Sequence, residues 1–206
     1  MALAALGLGA AALTGACCGA GGAGRGDQSR GTVVIIGMRG AGKSTLGRGA
    51  ADALGLPFED LDDTLEESVG LTCREFVAAH GWEAFRAKER EVLAAALAPR
   101  PAAHAGRVLA CGGGVVESAA AMQLLSEWRG GVVVWIDRPI DAIVAAFGGP
   151  TGRPWGTMDE PKLREMFARR KPLYELACDE VFTVPGSSSA AEATAALSAW
   201  LPTRTQ

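Results

Sequence analysis

The sequence has little excess charge of either sign. Lysine and arginine number 20 against 23 aspartates and glutamates, for a formal net charge of −3. A surface that binds nucleic acid or an anionic membrane needs a concentrated positive field, and here the basic residues are scattered along the chain. Composition therefore predicts neither a nucleic-acid nor a membrane partner. Basic residues close to a motif are expected instead to serve a small anionic ligand.

The chain also lacks a cysteine pattern. Its five cysteines show neither the spacing of a zinc site nor an even set that could form a disulfide framework; they are Cys17, Cys18, Cys73, Cys111 and Cys178. Unpatterned cysteines are typical of reduced thiols in an intracellular protein. We therefore expect a cytoplasmic location.

No charged side chain occurs in the first 24 residues, which are mostly Ala, Gly and Leu. A secretory signal requires a basic region and a transit peptide is rich in Arg and Ser, so neither is expected. Glycine also dilutes the apolar run below what a membrane span needs. Residues 1–30 are predicted to be a low-complexity, disordered leader or the end of a preceding domain, and residues 31–206 one folded domain.

What the sequence does contain is a phosphate-loop motif. Residues 37–45 read Gly-Met-Arg-Gly-Ala-Gly-Lys-Ser-Thr and fit G-x-x-x-x-G-K-[ST] at every fixed position. An apolar β-branched strand, Thr32–Ile36, precedes the loop, and a predicted helix follows it. Lys43 would reach the β- and γ-phosphates of ATP, and the Ser44 hydroxyl would bind Mg²⁺. The predicted ATP-binding residues are Gly40, Ala41, Gly42, Lys43, Ser44 and Thr45.

Strands and helices alternate along the rest of the chain. Further strands are predicted at 58–63, 108–111, 132–136 and 180–184, and helices at 46–54, 73–80, 82–97, 117–128, 139–147, 160–178 and 188–201. This alternation predicts an α/β fold with a parallel sheet covered by helices on both faces. The phosphate loop, the Asp60/Asp62 pair and the triple glycine 112–114 each follow a strand. They should therefore meet at the carboxyl edge of the sheet, where such folds bind ligands.

An ordered set of motifs resembles the shikimate kinase family over residues 32–201. Besides the phosphate loop, the set comprises Asp60-Leu61-Asp62, residues 81–86 (Gly-Trp-Glu-Ala-Phe-Arg), residues 111–117 (Cys-Gly-Gly-Gly-Val-Val-Glu), Arg153-Pro154 and residues 170–174 (Arg-Lys-Pro-Leu-Tyr). Several details are similar to the shikimate kinase domain of the fungal pentafunctional AROM polypeptide. The resemblance implies an adenylate-kinase-like P-loop fold with strand order 2-3-1-4-5 and a lid loop. It also implies ATP-dependent, Mg²⁺-assisted phosphorylation of shikimate.

The resemblance also implies roles for particular residues. Asp62 would contact the acceptor hydroxyl, with Lys43 and the lid residue Arg153 as catalytic partners, and Arg153 would also bind ATP. Asp60, together with Ser44, would hold Mg²⁺. The shikimate-binding residues would be Asp62, Arg86, Gly112, Gly113, Gly114 and Arg170.

From the residues alone, five of these assignments remain open. Arg153 could be a charge on a disordered loop, and the triple glycine 112–114 could be a plain turn. Asp62 could cap a helix, although Asp63 is better placed for that, and Asp60 could be a solvated carboxylate at a strand end. Arg86 could be a solvated helix charge. Arg138 has no predicted role.

Two other functions are compatible with a phosphate loop in this context. A kinase for another small alcohol, such as gluconate or a nucleoside monophosphate, would keep Lys43 and Ser44 without needing Arg86 and Arg170. A non-catalytic regulator built on the same domain would be expected to lack some of the catalytic residues, all of which are present here. The chain could work alone or be joined to other shikimate-pathway domains.

Overall fold

The computed structural model describes residues 31–99, 106–148 and 159–201. Its strands form a five-stranded parallel sheet in the order β2-β3-β1-β4-β5. The strands are β1 (Thr32–Ile36), β2 (Phe58–Asp60), β3 (Val108–Ala110), β4 (Gly131–Asp137) and β5 (Glu180–Thr183). The predicted fold class and strand order are thus confirmed.

The two central strands explain why the sheet is covered on both faces. Every residue of β1 is buried, and so is the run from Val132 to Ile136 in β4. Strands buried on both faces read as continuous apolar runs without the alternation of a half-exposed strand. These two runs pair in register, with Val33 beside Val132, and form the centre of the core.

Seven helices lie in the described part of the chain. They are α1 (Lys43–Leu54), α2 (Leu61–Val69), α3 (Cys73–Leu97), α4 (Ala119–Glu127), α5 (Ile140–Gly148), α6 (Glu160–Ala177) and α7 (Ala190–Trp200). Helix α1 packs against α7, whereas α4 packs against α3 and α6. Right-handed crossovers place these two groups on opposite faces of the sheet. None of the helices described is long and apolar enough to cross a membrane.

Helix α3 is broken at Gly81, as the sequence predicted. Gly81 adopts φ 81° and ψ 171°, which is outside the helical region. The first segment starts with a capping box, in which Thr72 and Glu75 satisfy each other's backbone N–H groups. The second segment carries Phe85 and Arg86 in a new direction, so the break decides where Arg86 points.

Three local predictions were wrong. The predicted strand 58–63 ends at Asp60, and residues 61–63 begin α2, because Asp60 caps a helix there. The other two errors concern helix starts. Helix α4 begins at Ala119 and not at Glu117, because the Ser118 side chain accepts the Ala121 N–H and caps the helix there. Glu117 ends a short 3-10 turn that precedes it. The carboxylate that caps α2 is Asp60, not Asp63, because Asp60 Oδ1 accepts the Asp62 N–H at 3.1 Å.

Other predictions fall outside the described residues. These are the leader, the lid loop after α5 and the lid residue Arg153.

Candidate active site

The phosphate loop joins β1 to α1 and holds three glycines with positive φ. Gly40 has φ 80°, and a methyl group there would lie 2.6 Å from the Phe147 ring. Gly42 has φ 101° and is the N-cap of α1, where it offers no side-chain oxygen. No side chain therefore competes with an anion for the first N–H groups of the helix, which also carries its positive end here.

Lys43 is folded back onto its own loop. It is buried, and its Nζ donates a hydrogen bond to the Met38 carbonyl at 3.2 Å. A neutral carbonyl is a weaker partner for an ammonium group than a phosphate is. Lys43 is therefore poised to exchange this contact for a nucleotide phosphate.

The loop forms one wall of a cavity of about 280 Å³. Asp60 and Asp62, which follow the edge strand β2, line this cavity together with Gly113, and we call it the nucleotide cavity. The lining residues that follow β4 and β5 on the other side of β1 are Arg138, Ala146, Phe147, Val184, Ser188, Ser189, Ala190 and Ala193. The phosphate loop, the Asp60/Asp62 pair and the triple-glycine turn thus lie together at the carboxyl edge of the sheet, as their positions after the strands predicted.

Asp62 presents an unengaged carboxylate to this cavity. Its backbone N–H is held by Asp60, but none of the described residues donates a hydrogen bond to its carboxylate. Burial raises the pKa of Asp62, while the Lys43 charge opposes that rise. A partly buried carboxylate facing an ammonium group can accept a hydroxyl proton more readily than an ordinary surface aspartate.

Arg86 and Arg170 come together on one oxygen atom. The Nη2 atoms of Arg86 and Arg170 donate to Glu117 Oε2 at 2.9 and 2.6 Å, respectively. The Nη1 of Arg86 also donates to Glu89 Oε2 at 2.7 Å. Arg170 reaches the phosphate loop, where its Nη1 lies 4.0 Å from the sulfur of Met38. Two guanidinium groups that share one carboxylate oxygen are close enough to grip a single organic anion.

The neighbouring arginine takes a different position. Arg169 is exposed and donates through Nη2 to the other oxygen of Glu117 at 2.6 Å, whereas Arg170 is only 6% exposed. Burial of Glu117 acts to raise its pKa, but the hydrogen bonds from Arg170 and Arg169 outweigh it and lower that pKa to about 2. Glu117 is thus a fixed negative charge that holds the arginine cluster together.

The triple glycine is needed because side chains crowd it from several directions. A methyl group on Gly112 would lie 2.6 Å from both Asp62 Oδ1 and Glu89 Oε1. A methyl group on Gly114 would lie 2.6 Å from the central carbon of the Arg86 guanidinium. The turn is tied down by the Tyr174 hydroxyl, which donates to the Gly113 carbonyl. Backbone without side chains therefore separates the aspartate from the arginine cluster.

Sequence reasoning missed two carboxylates of this site, Glu89 and Glu117. Glu117 belongs to the quoted motif after the triple glycine, but it was assigned to a helix start. Glu89 lies one turn after Arg86 and is buried, and its Oε1 has no hydrogen-bond partner. The sequence did contain a signal for Glu89: it lies three residues after Arg86, a spacing at which side chains on one helix face can form an ion pair.

The residues that could hold Mg²⁺ also lie in the cavity. Ser44 and the Asp60/Asp62 pair supply hard oxygen atoms along its wall. No cluster of three or more His, Cys, Asp or Glu that could hold a metal ion occurs among the residues placed in the structure. Mg²⁺ commonly binds through one or two carboxylates, water and substrate phosphates, so this donor set fits an ion that arrives with ATP.

Comparison with known proteins gives a consistent result. The family model for shikimate kinase matches residues 39–200. Among solved structures, the shikimate kinase from Acinetobacter baumannii in complex with shikimate is 28% identical, with a TM-score of 0.71, and the match covers 87% of this chain and 97% of that one. The shikimate kinase from Bacteroides thetaiotaomicron shares the fold, with a TM-score of 0.69 at 24% identity over 84% of this chain and 98% of that one.

Curated relatives are much longer proteins. The pentafunctional AROM polypeptide of Yarrowia lipolytica is 40% identical over 169 residues, which is 81% of this chain. That of Eremothecium gossypii is 40% identical over 166 residues, or 79% of this chain. The chain spans about a tenth of the length of each of these relatives.

Proposed function

This chain belongs to the shikimate kinase family, and on that premise we propose that it transfers the γ-phosphoryl group of ATP to the 3-hydroxyl of shikimate. The observation that carries the proposal is the convergence of Arg86 and Arg170 on one Glu117 oxygen, beside Met38 of the phosphate loop. This arrangement provides a carboxylate-binding pocket next to a nucleotide site.

The substrate's chemistry matches the charges of this pocket. Shikimate carries a carboxylate and several hydroxyl groups, so its site needs cations at one end and a hydrogen-bond acceptor at the other. The arginine pair supplies the cations. Asp62, across the glycine turn from Arg86, supplies the acceptor. In the proposed mode, the carboxylate is anchored by the arginines while the hydroxyl is directed towards the nucleotide.

Phosphoryl transfer depends mainly on positioning and on stabilising charge. Lys43 and the N–H groups at the start of α1 would hold the β- and γ-phosphates. The 3-hydroxyl oxygen would attack the γ-phosphorus, the bond to the β-phosphate oxygen would break, and ADP would leave. Asp62 would orient the hydroxyl and accept its proton. Bound Mg²⁺, held by Ser44 and Asp60, would neutralise developing charge on the phosphates.

The decisive test is steady-state release of ADP by the purified chain with ATP, Mg²⁺ and one acceptor at a time. Shikimate should support turnover. Its methyl ester should be a poor acceptor, because it has no carboxylate for the arginine pair. Preference for gluconate would favour a kinase for another alcohol, and tight shikimate binding without ADP release would favour a regulator.

A matched pair of variants on α3 tests the carboxylate pocket. Loss of a hydrogen-bonded charge pair costs about 1.5–3 kcal/mol, so Arg86→Ala should raise the KM for shikimate about ten- to hundredfold. The KM for ATP should stay nearly constant. Arg90→Ala removes an exposed arginine of the same helix and should change neither value. Equal effects of the two variants would show that the pocket is misassigned.

The proposal extends to the setting of the reaction, the synthesis of aromatic amino acids in the cytoplasm. It is supported by the three cysteines of the described residues, Cys73, Cys111 and Cys178, all of which are free thiols. Immunoblotting of fractionated cells of the source organism would locate the protein. The same blot would show by its mass whether the domain is joined to others.

A further inference from the structure

Arg138 is a cation in the nucleotide cavity that has no hydrogen-bond or ion-pair partner among the residues described by the structure. It follows the last residue of β4 and lines the same cavity as the phosphate loop. Its Nε is buried without a hydrogen-bond partner, and no carboxylate among the described residues forms an ion pair with it. A buried donor left unsatisfied destabilises a protein, so an arginine in this state points to a ligand that satisfies it.

The surrounding arginines differ from Arg138 in having partners among the described residues. Arg86 and Arg170 share Glu117, although Arg170 Nε is also buried without a hydrogen-bond partner, and Arg39 lies over the Phe147 ring at 5.3 Å. The adjacent carboxylate, Asp137, has a pKa that burial raises and that the charge of Lys171 lowers. Asp137 is therefore coupled to Lys171, and the positive charge of Arg138 stays uncompensated within the described structure.

The sheet order places Arg138 between the two ends of a bound nucleotide. Strand β1 leads into the phosphate loop, and β5 leads to Val184, which is followed by the uncharged lining residues Ser188, Ser189, Ala190 and Ala193. Strand β4 lies between them. Arg138 and Val184 are neighbours at the ends of these strands, because Asp137 pairs with Thr183. A nucleotide with its terminal phosphates on the loop and its base near Val184 would therefore pass its innermost phosphate across the end of β4.

We propose that Arg138 binds the α-phosphate of the nucleotide and so sets the affinity of this site for ATP and ADP. The inference rests on the proposed function only in requiring a nucleotide in the cavity; it does not depend on which alcohol is phosphorylated. It gives a role to the arginine that sequence reasoning left unassigned. Its test can therefore be made by binding alone.

The experiment is calorimetric titration of the purified chain with ADP and, separately, with adenosine. Arg138→Gln keeps much of the side-chain length but removes the charge, and should weaken ADP binding about ten- to hundredfold. Adenosine has no phosphate, so its affinity should not change. Arg129→Gln removes an exposed arginine that bonds only to nearby backbone carbonyls and should bind ADP like the wild type.

Three outcomes would overturn the proposal. These are unchanged ADP affinity in Arg138→Gln, equal weakening of ADP and adenosine, or equal weakening of ADP in the Arg129→Gln control. If Arg138→Gln does not fold, Arg138→Lys replaces it, since lysine keeps the charge but not the guanidinium geometry. That variant should still lose ADP affinity selectively, by a smaller factor, and a wild-type affinity would refute the proposal.

The result is separable from the fate of the proposed function. Weakened ADP binding in a protein that fails to phosphorylate shikimate would sustain the role of Arg138 and remove the shikimate assignment. Wild-type ADP affinity in Arg138→Gln, in a protein that does phosphorylate shikimate, would remove the role of Arg138 and sustain the shikimate assignment.

Discussion

Replacing Gly114 with alanine should damage shikimate binding while leaving the fold intact. Gly114 has φ −106° and ψ 5°, which alanine can adopt. The added methyl group would lie closest to Nη2 of the Arg86 guanidinium and 2.6 Å from both its central carbon and Nη1. The obstructing group is the end of a flexible side chain, so Arg86 would move and the backbone would not.

The size of the effect follows from that displacement. A comfortable contact between heavy atoms is about 3.5–4.0 Å, and Nη2 is the nearest atom of the guanidinium, so the guanidinium must retreat by more than about 1 Å. That shift would weaken its bonds to Glu117 and Glu89 and misplace it for the substrate carboxylate. A charge-assisted hydrogen bond contributes about 1.5–3 kcal/mol, so the KM for shikimate should rise about ten- to hundredfold.

Stability should change much less. The ion pair of Arg86 with Glu117 is partly exposed, and such a pair contributes about 0–1 kcal/mol. The shifted guanidinium would still lie beside the buried Glu89 carboxylate and compensate its charge. For a domain of this size, 1 kcal/mol corresponds to a Tm shift of about 2–4 °C. The assay is therefore a pair of measurements, steady-state kinetics with each substrate varied and a thermal melt.

Gly186→Ala is the matched control. A methyl group there would make ordinary contacts, 3.6 Å to Ala142 and 3.9 Å to Pro139, and both kinetics and Tm should match the wild type. The reasoning would be refuted if Gly114→Ala kept its KM for shikimate within about twofold. A parallel rise in the KM for ATP would also refute it, because the methyl group would then be acting beyond Arg86.

Three further predictions address the carboxylates and the metal. Burial raises the folded-state pKa of Asp62, so kcat/KM for shikimate should fall as pH drops through that raised value. Asp62→Asn should abolish most turnover. It should also raise the Tm at neutral pH, because it removes a charge that burial disfavours, and this gain should vanish below pH 3.8, where Asp62 is protonated in both the folded and the unfolded state. Asp63→Asn changes an exposed residue and should remain active. The pKa of Glu117 is lowered to about 2, so Glu117→Gln should lower the Tm at pH 7, and the gap should close as pH falls from 4.5 towards 2. Ser44→Ala should raise the Mg²⁺ concentration for half-maximal activity about tenfold or more, and wild-type Mg²⁺ dependence would contradict a role in holding the ion.

The phosphate loop shows what can be predicted locally. Its fixed residues, the strand before it and the helix after it are adjacent in the chain, so the motif carries its own structural context. The same holds for the break at Gly81, where glycine in a helical pattern indicates a stop. Helix starts were less predictable, because Ser118 and Asp60 compete for capping with other polar residues nearby.

The arginine cluster shows what could not be predicted from local pattern. Arg86, Glu117 and Arg170 are separated by 31 and 53 residues, and their meeting depends on how the second halves of α3 and α6 pack over the triple-glycine turn. The family motif selected both arginines but gave no reason to choose Glu117 as the charge between them. Similarly, nothing in the sequence around Arg138 shows that its donor is left without a partner.

The sequence by itself determined which groups are available and at which edge they emerge, because strand period, glycine loops and parallel connections are encoded in short stretches of chain. Only the tertiary structure decided which charges neutralise one another. Among the described residues, Arg170 is ion-paired with Glu117, the Asp62 carboxylate accepts no hydrogen bond, and Arg138 has no ion-pair partner. The physical reason is that an ion pair forms over a few ångströms of space, and the distance along the chain does not fix that separation.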